Sequence, residues 1–394
     1  MNPTIILFLL IFTSTLFIGC GTATKSVTTN NAGNNNNSTV SPVKDAFIFK
    51  INSGENREFI LPAQFIAAME SSWYVEGVEY DWKIDWGDGT EEEEHSGISA
   101  WVTGEIGSYT RHFSEGIFHL YPEANKDYTI KIRPNGPATK DWLQAFGWSD
   151  DYAHPSPTVM DFENRAKLKA ILSPFPENSK SNFTGTFMGC TGLTVIPENL
   201  FENIKNSLTD NMFWGTFAMT GIKSIPEGLF KNISSTVSGM FQATFAYCVY
   251  LESIPVGLFK NINGSPTDYM FTMTFFACSE LKTIPQGLFS SISGRPAEYM
   301  FAQTFYGCAS LTSIPNGLFG DISGPPAEGM FLHTFAECSN LKGESATMKT
   351  PEGYKKLYEV FTDASIDHVG GCYAFTDLSD LDQMDMIWKY ESAI

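Results

Sequence analysis

The side chains with the greatest chemical reach in this chain are its seven cysteines, its six histidines and its 44 Asp and Glu residues. Cys190, Cys248, Cys278, Cys308 and Cys338 occupy one position of a recurring pattern, and Thr220 stands at that position in the remaining copy. Thiols in such a file could pair, ligate a metal or act as nucleophiles. Pairing within the column leaves an odd member, and Thr220 offers no bond to a neighbour. A small half-buried side chain explains both residue types, so the column is expected to be packing with free thiols. Disulfides between neighbouring copies are the alternative in an exported chain. No His, Asp or second Cys lies at metal-ligand spacing beside the column, so no metal is expected. None of His95, His112, His119, His154, His333 and His368 stands beside a Ser or Cys in a nucleophile motif, and no Gly-rich phosphate loop is present. No catalytic residue and no cofactor is therefore predicted.

The elements that place the cysteines repeat. Equivalent phenylalanines fall at Phe183, Phe213, Phe241, Phe271, Phe301 and Phe331, a thirty-residue spacing with one copy shortened to twenty-eight. The clearest copy runs from Phe301 through Phe305, Cys308, Leu311, Ile314 and Pro315 to Leu318 and Phe319. One such unit cannot bury its own apolar face, whereas stacked neighbours bury it for each other. Within a unit, Phe271, Phe275 and Cys278 sit at i, i+4 and i+7, which predicts one face of an α-helix behind the cap Ser265-Pro266. Leu311 to Ile314 reads as a brief strand ended by Pro315, with Leu318, Phe319 and Ile322 tucked into the core. The repeats span 183–342, and 343–394, which breaks phase, is expected to cap the last core face.

The first residues carry an address. An apolar run from Ile5 to Phe12 continues to Leu16-Phe17-Ile18-Gly19-Cys20. It is shorter than the ~20 apolar residues of a membrane span and fits an export signal, although no Lys or Arg precedes it. Leu16 to Cys20 resembles the lipobox of bacterial lipoproteins, which implies cleavage after residue 19 and acylation of Cys20. Residues 20–44 are rich in Thr, Ser, Gly and Asn and read as a flexible tether.

Residues 45–136 read as an all-β sandwich. Tyr80, Trp82, Ile84 and Trp86 alternate with Asp81, Lys83 and Asp85, and Tyr128, Ile130 and Ile132 repeat the period. Gly87-Asp88-Gly89-Thr90 marks a tight turn in which Asp85 and Asp88 are expected to hold the backbone rather than a calcium ion. Ile84 to Thr90, with His119-Leu-Tyr121 and Tyr128-Thr-Ile130, resembles PKD-like immunoglobulin-type domains. Residues 137–182, with Trp142, Phe146 and Trp148, form a junction that covers the start of the repeats.

The segment from Phe305 to Pro315 resembles the BspA-like leucine-rich repeats of bacterial surface lipoproteins. This chain carries Thr186, Thr244, Thr274, Thr304 and Thr334 where that family commonly has alanine, and its unit is longer. The expected fold is multidomain: an N-terminal all-β sandwich followed by an α/β leucine-rich-repeat-like solenoid. The resemblance implies a lipid-anchored protein of the bacterial envelope, at the outer membrane or cell surface. There it would display the solenoid for adhesion or for binding an extracellular protein or glycan. The candidate contact face is the variable solvent side of the short strands: Thr194, Lys223, Glu252, Lys282 and Thr312. A net charge of −19 argues against nucleic acid, which needs clustered Lys and Arg. A structural envelope lipoprotein without a ligand is the alternative. A carbohydrate-active enzyme, needing two carboxylates at glycosidase separation, is the less favoured one.

Overall fold

A computed structural model describes residues 45–63, 78–98, 101–105, 108–112, 116–139, 141–148, 159–180, 182–204, 208–325, 327–341, 347–350 and 352–356. Residues 1–44, with the expected signal, tether and Cys20, and most of 343–394 lie outside these residues. The described residues are rich in strands, in mainly antiparallel sheets, and hold a single α-helix.

Alternation builds the first region. In β1 (Phe47–Asn52) every second residue is buried, and the same holds in β8 (Asp127–Pro134). The two strands pair antiparallel, Phe47 opposite Ile132 and Asn52 opposite Asp127. β3 (Glu79–Asp85) adds to the far side of β8, and β4 (Glu93–Ile98) pairs with β3. β2 (Glu58–Leu61) and β7 (Ile117–Leu120) make a second, two-stranded sheet. Phe49 of the larger sheet meets Phe59 of the smaller, their ring centres 6.5 Å apart. A hairpin of β5 (Trp101–Glu105) and β6 (Ser108–His112) stands apart. The β3–β4 turn requires Gly87, because at its φ of 75° a β-carbon would lie 2.2 Å from the Thr129 carbonyl oxygen.

The helix α1 (Val159–Lys167) leads straight into β9 (Leu168–Ile171), and β9 is the fifth strand of the larger sheet, antiparallel to β1. On its other side β9 meets the first repeat in parallel, Ala170 opposite Val195. The apolar core is accordingly continuous from Phe47 to Leu341.

The repeats do not form α-helices, which corrects the expectation for Phe271 to Cys278. The amides of Thr272, Thr274, Phe276 and Cys278 bond carbonyls three residues back, at 3.0–3.3 Å. Those of Tyr269, Phe271, Met273, Phe275 and Ala277 leave the unit and bond carbonyls of the next one, Glu298 through Tyr306, at 2.6–2.9 Å. Tyr269, Met273 and Ala277 take φ of 59°, 56° and 56°, so a left-handed residue recurs every fourth position. The segment is a ribbon of consecutive turns. Its four-residue period sits close enough to 3.6 to mimic a helix in sequence. Left-handed non-glycine residues cost of order 1 kcal/mol each, and the ladder between units offsets that cost.

The predicted short strands shrink to isolated parallel bridges, Ser224 to Ser253 and Ser253 to Thr283. Two-residue strands β10 (Ser293–Gly294) and β11 (Asp321–Ile322) pair in parallel on another side. A final hairpin of β12 (Thr347–Thr350) and β13 (Gly353–Lys356) docks on the fifth unit, where the Thr347 hydroxyl accepts the Gly317 amide at 3.2 Å.

Ring columns fill the stack. Phe241, Phe271, Phe301 and Phe331 follow one another at 5.6–5.7 Å with planes within 7° of parallel. Phe245, Phe275, Phe305 and Phe335 do the same at 5.4–5.6 Å. The threonines that replace the alanine of the resembling family are buried and hydrogen-bonded. Thr244, Thr274, Thr304 and Thr334 each place Oγ1 2.9–3.0 Å from a phenylalanine carbonyl of the preceding unit. The five cysteines of the column are free and buried, and four of them repeat that bond through sulfur. Sγ of Cys248, Cys278, Cys308 and Cys338 lies 3.1–3.3 Å from the carbonyl of Phe217, Phe245, Phe275 and Phe305. Burial pushes the Cys248 thiol up to about 11 and the Cys338 thiol up to about 12.

Candidate functional site

Inward leucine at Leu251 and Leu281, and inward isoleucine at Ile254 and Ile284, leave two residues between them that must face solvent. Thr194, Lys223, Glu252, Lys282 and Thr312 are the first of these in successive units, and all five are exposed. Backbone bonds hold two stretches of the file in register. The Thr194 amide donates to the Lys169 carbonyl at 3.1 Å, Glu252 to Lys223 at 3.0 Å and Lys282 to Glu252 at 3.2 Å. The file therefore begins on β9 with Lys169, a member that the repeat alignment missed because it precedes the first phenylalanine of the pattern.

Side-chain chemistry on the file is simple. Lys282 Nζ lies 2.9 Å from Glu252 Oε2 across one unit boundary. The Lys282 bond and charge hold the Glu252 carboxyl below the usual carboxylate range, and Glu252 in turn raises Lys282. Both side chains are about half exposed, so the pair contributes little stability. Hydroxyls of Ser224, Ser253 and Thr283 form the neighbouring row. Exposed Val195 and Tyr250 interrupt the polar surface. This arrangement offers donors and acceptors at a fixed spacing and no converging acid and base.

A second polar cluster lies in the first region. Asp85 Oδ1 accepts the Gly87 amide at 2.9 Å, and Asp88 Oδ1 accepts the Thr90 amide and hydroxyl at 3.0 and 2.6 Å. The two aspartates thus fix the β3–β4 turn. Asp88 Oδ2 meets His119 Nε2 at 2.8 Å, and the imidazole stacks on Trp86 with ring centres 4.4 Å apart. Glu93 Oε2 accepts the Trp86 indole N–H at 3.0 Å and meets His95 Nε2 at 2.8 Å. Burial alone would raise Asp88; the Thr90 hydroxyl and amide, with His119, outweigh it and hold the carboxyl low. Both oxygens of Asp88 are committed, so the cluster locks β7 to the turn. Among the described residues no three His, Cys, Asp or Glu side chains stand together as a metal site. Among those residues, too, no helix is long and apolar enough to cross a membrane.

Comparison of the chain with protein-family models, with curated proteins and with solved structures returns no match in any of the three.

Proposed function

We propose that the chain is a lipid-anchored surface protein whose repeats form a solenoid of the BspA-like leucine-rich-repeat kind, with a PKD-like domain before it. Its role is recognition of an extracellular protein or glycan through the file Thr194, Lys223, Glu252, Lys282 and Thr312. The observation that carries the reading is that five side chains from five units are exposed at one repeat position, with Lys223, Glu252 and Lys282 held in register by backbone bonds. Such a file can meet an extended partner at several points at once, and weak contacts then combine. The short apolar run with Gly19-Cys20 and the polar tether support anchoring through Cys20.

Two measurements test the proposal. Metabolic acyl labelling of wild type and Cys20→Ala is expected to mark only the wild type. Arrays of extracellular-matrix proteins and glycans, probed with the chain and with a Lys223→Ala, Glu252→Ala, Lys282→Ala triple variant, are expected to show signal lost in the variant. Equal signal in both removes the file from the reading.

A second reading, an envelope protein with a structural role and no ligand, is favoured by the Glu252–Lys282 pair, in which two of the three charges of the file meet each other. It predicts no signal on either array.

A further inference from the structure

The strand β9 belongs to two structures at once. Ile171 stands opposite Phe49 in the antiparallel pairing with β1, while its amide donates to the Val195 carbonyl at 2.9 Å. Phe175 continues the same double membership. Its ring stacks on Phe47 at 4.6 Å and 8°, and lies parallel to Phe201 of the first unit at 6.1 Å and 8°. The Phe175 amide donates to Leu200, and Asn203 Nδ2 returns a bond to the Phe175 carbonyl, each at 2.9 Å. Later asparagines make a similar contact between units, one residue past the stacked phenylalanine: Asn232 to the Glu202 carbonyl at 2.8 Å and Asn261 to Lys231 at 2.6 Å. Residues 168–175 therefore meet the first unit through backbone contacts of the kind that later units make with their predecessors.

The other side of the seam is closed in the same manner. The Trp148 amide donates to the Thr186 carbonyl at 2.9 Å, and its ring lies 6.4 Å from Phe187 and 6.2 Å from Phe49. Asn164 on α1 brackets Ile60 of β2, Nδ2 to the carbonyl at 2.7 Å and Oδ1 to the amide at 2.8 Å. The Ile48 amide is held by the Ser173 hydroxyl at 2.8 Å, so the chain enters the fold at β1 directly beside the seam. A module that served as a stalk would receive the chain at the end remote from the repeats.

A stack of units needs a terminal element that presents one matching face and shields it from water. We infer that residues 45–175 are that element: the N-terminal cap and folding template of the stack, acting through the shared strand β9, and neither a separate module nor a spacer. The inference rests on the seam alone and stands whether or not the exposed file binds a ligand.

Hydrogen exchange on the full chain tests it. In the wild type, peptides covering Phe47–Asn52 and peptides covering 241–278 are expected to lose protection together as denaturant rises. Phe175→Ala is expected to speed exchange in both sets by on the order of a hundredfold, since one cavity then opens both sides of the seam. Phe175→Leu, which keeps most of the contact, should accelerate both by a smaller common factor and serves if the alanine variant does not fold. Separate wild-type transitions, or acceleration confined to one set in either variant, would overturn the inference.

Discussion

The hydroxyl of Thr304 lies 2.9 Å from the carbonyl oxygen of Phe271, in the preceding unit and in the middle of the apolar core. That carbonyl also accepts the Thr274 amide at 3.2 Å, and the Thr304 hydroxyl has a second acceptor in reach, the Phe301 carbonyl of its own unit at 2.8 Å. Cys308 Sγ makes the same approach to Phe275 at 3.3 Å. The threonine and cysteine columns are thus one device used twice per unit, a weak donor three residues after each phenylalanine. Thr220 in the cysteine column turns the donor inward to its own unit, its Oγ1 standing 2.8 Å from the Phe217 carbonyl.

Isosteric replacement isolates the donor. Thr304→Val keeps the volume and removes the hydroxyl, and is expected to cost about 1 kcal/mol in denaturant unfolding. Cys278→Thr should stay within about 0.5 kcal/mol of wild type, whereas Cys278→Val should lose about 1 kcal/mol more than that. Equal midpoints for the threonine and valine variants would show that only the shape of the side chain matters.

Phe305 lies fully buried between Phe275 and Phe335, at 5.5 and 5.4 Å. Phe305→Ala is expected to cost about 3–5 kcal/mol, from lost transfer energy and an incompletely collapsed cavity. A loss under about 0.5 kcal/mol at unchanged cooperativity would place the ring outside the stack.

Glu337 is exposed and left-handed, with φ of 60°, at the position that Gly189 and Gly307 hold in other units. Glu337→Gly is therefore expected to stabilise the protein by about 0.5–1 kcal/mol, since glycine adopts that conformation without strain. An α-helix at this site would instead lose about 1 kcal/mol. The sign of the change in melting temperature decides between the two.

Alkaline pH should weaken the stack. Burial raises the Cys248 thiol to about 11, above the ~8.5 of an unfolded thiol, so the native state binds the extra proton between those values. The stability contributed is complete below pH ~8.5 and is lost as pH rises toward 11. Lys180, lowered to about 7 by burial, acts in the opposite sense between its native and unfolded values. Comparing wild type with Cys248→Thr cancels Lys180. The variant is expected to lose less stability from pH 8 to 10, and parallel profiles would count against a buried neutral thiol.

Quantitative alkylation under native conditions is expected to leave Cys248, Cys278, Cys308 and Cys338 unmodified and to label all four after non-reducing denaturation, because they are buried and free. A linked Cys248–Cys278 peptide in the mass spectrum would contradict this.

The sequence alone determined the repeat and its phase, because each unit must match its neighbour and thirty-residue self-similarity survives in the identities of Phe301, Cys308, Leu311 and Ile314. It also determined the alternating strands around Trp82 and Ile130 and the turn at Gly87, where local pattern and backbone need coincide. The exposed file at Lys223, Glu252 and Lys282 was legible for the same reason, since it lies between two inward positions of known spacing. What tertiary structure decided is the conformation of Tyr269 to Cys278. Phenylalanines four apart fit both a helix and a four-residue ribbon of turns, and the choice depends on amides finding carbonyls of the next unit. The sharing of β9 was equally hidden. Leu168 to Ile171 carries a strand pattern, but no local signal tells a four-residue strand that it must pair on both edges, one partner lying over a hundred residues back and the other beyond the first ribbon of turns.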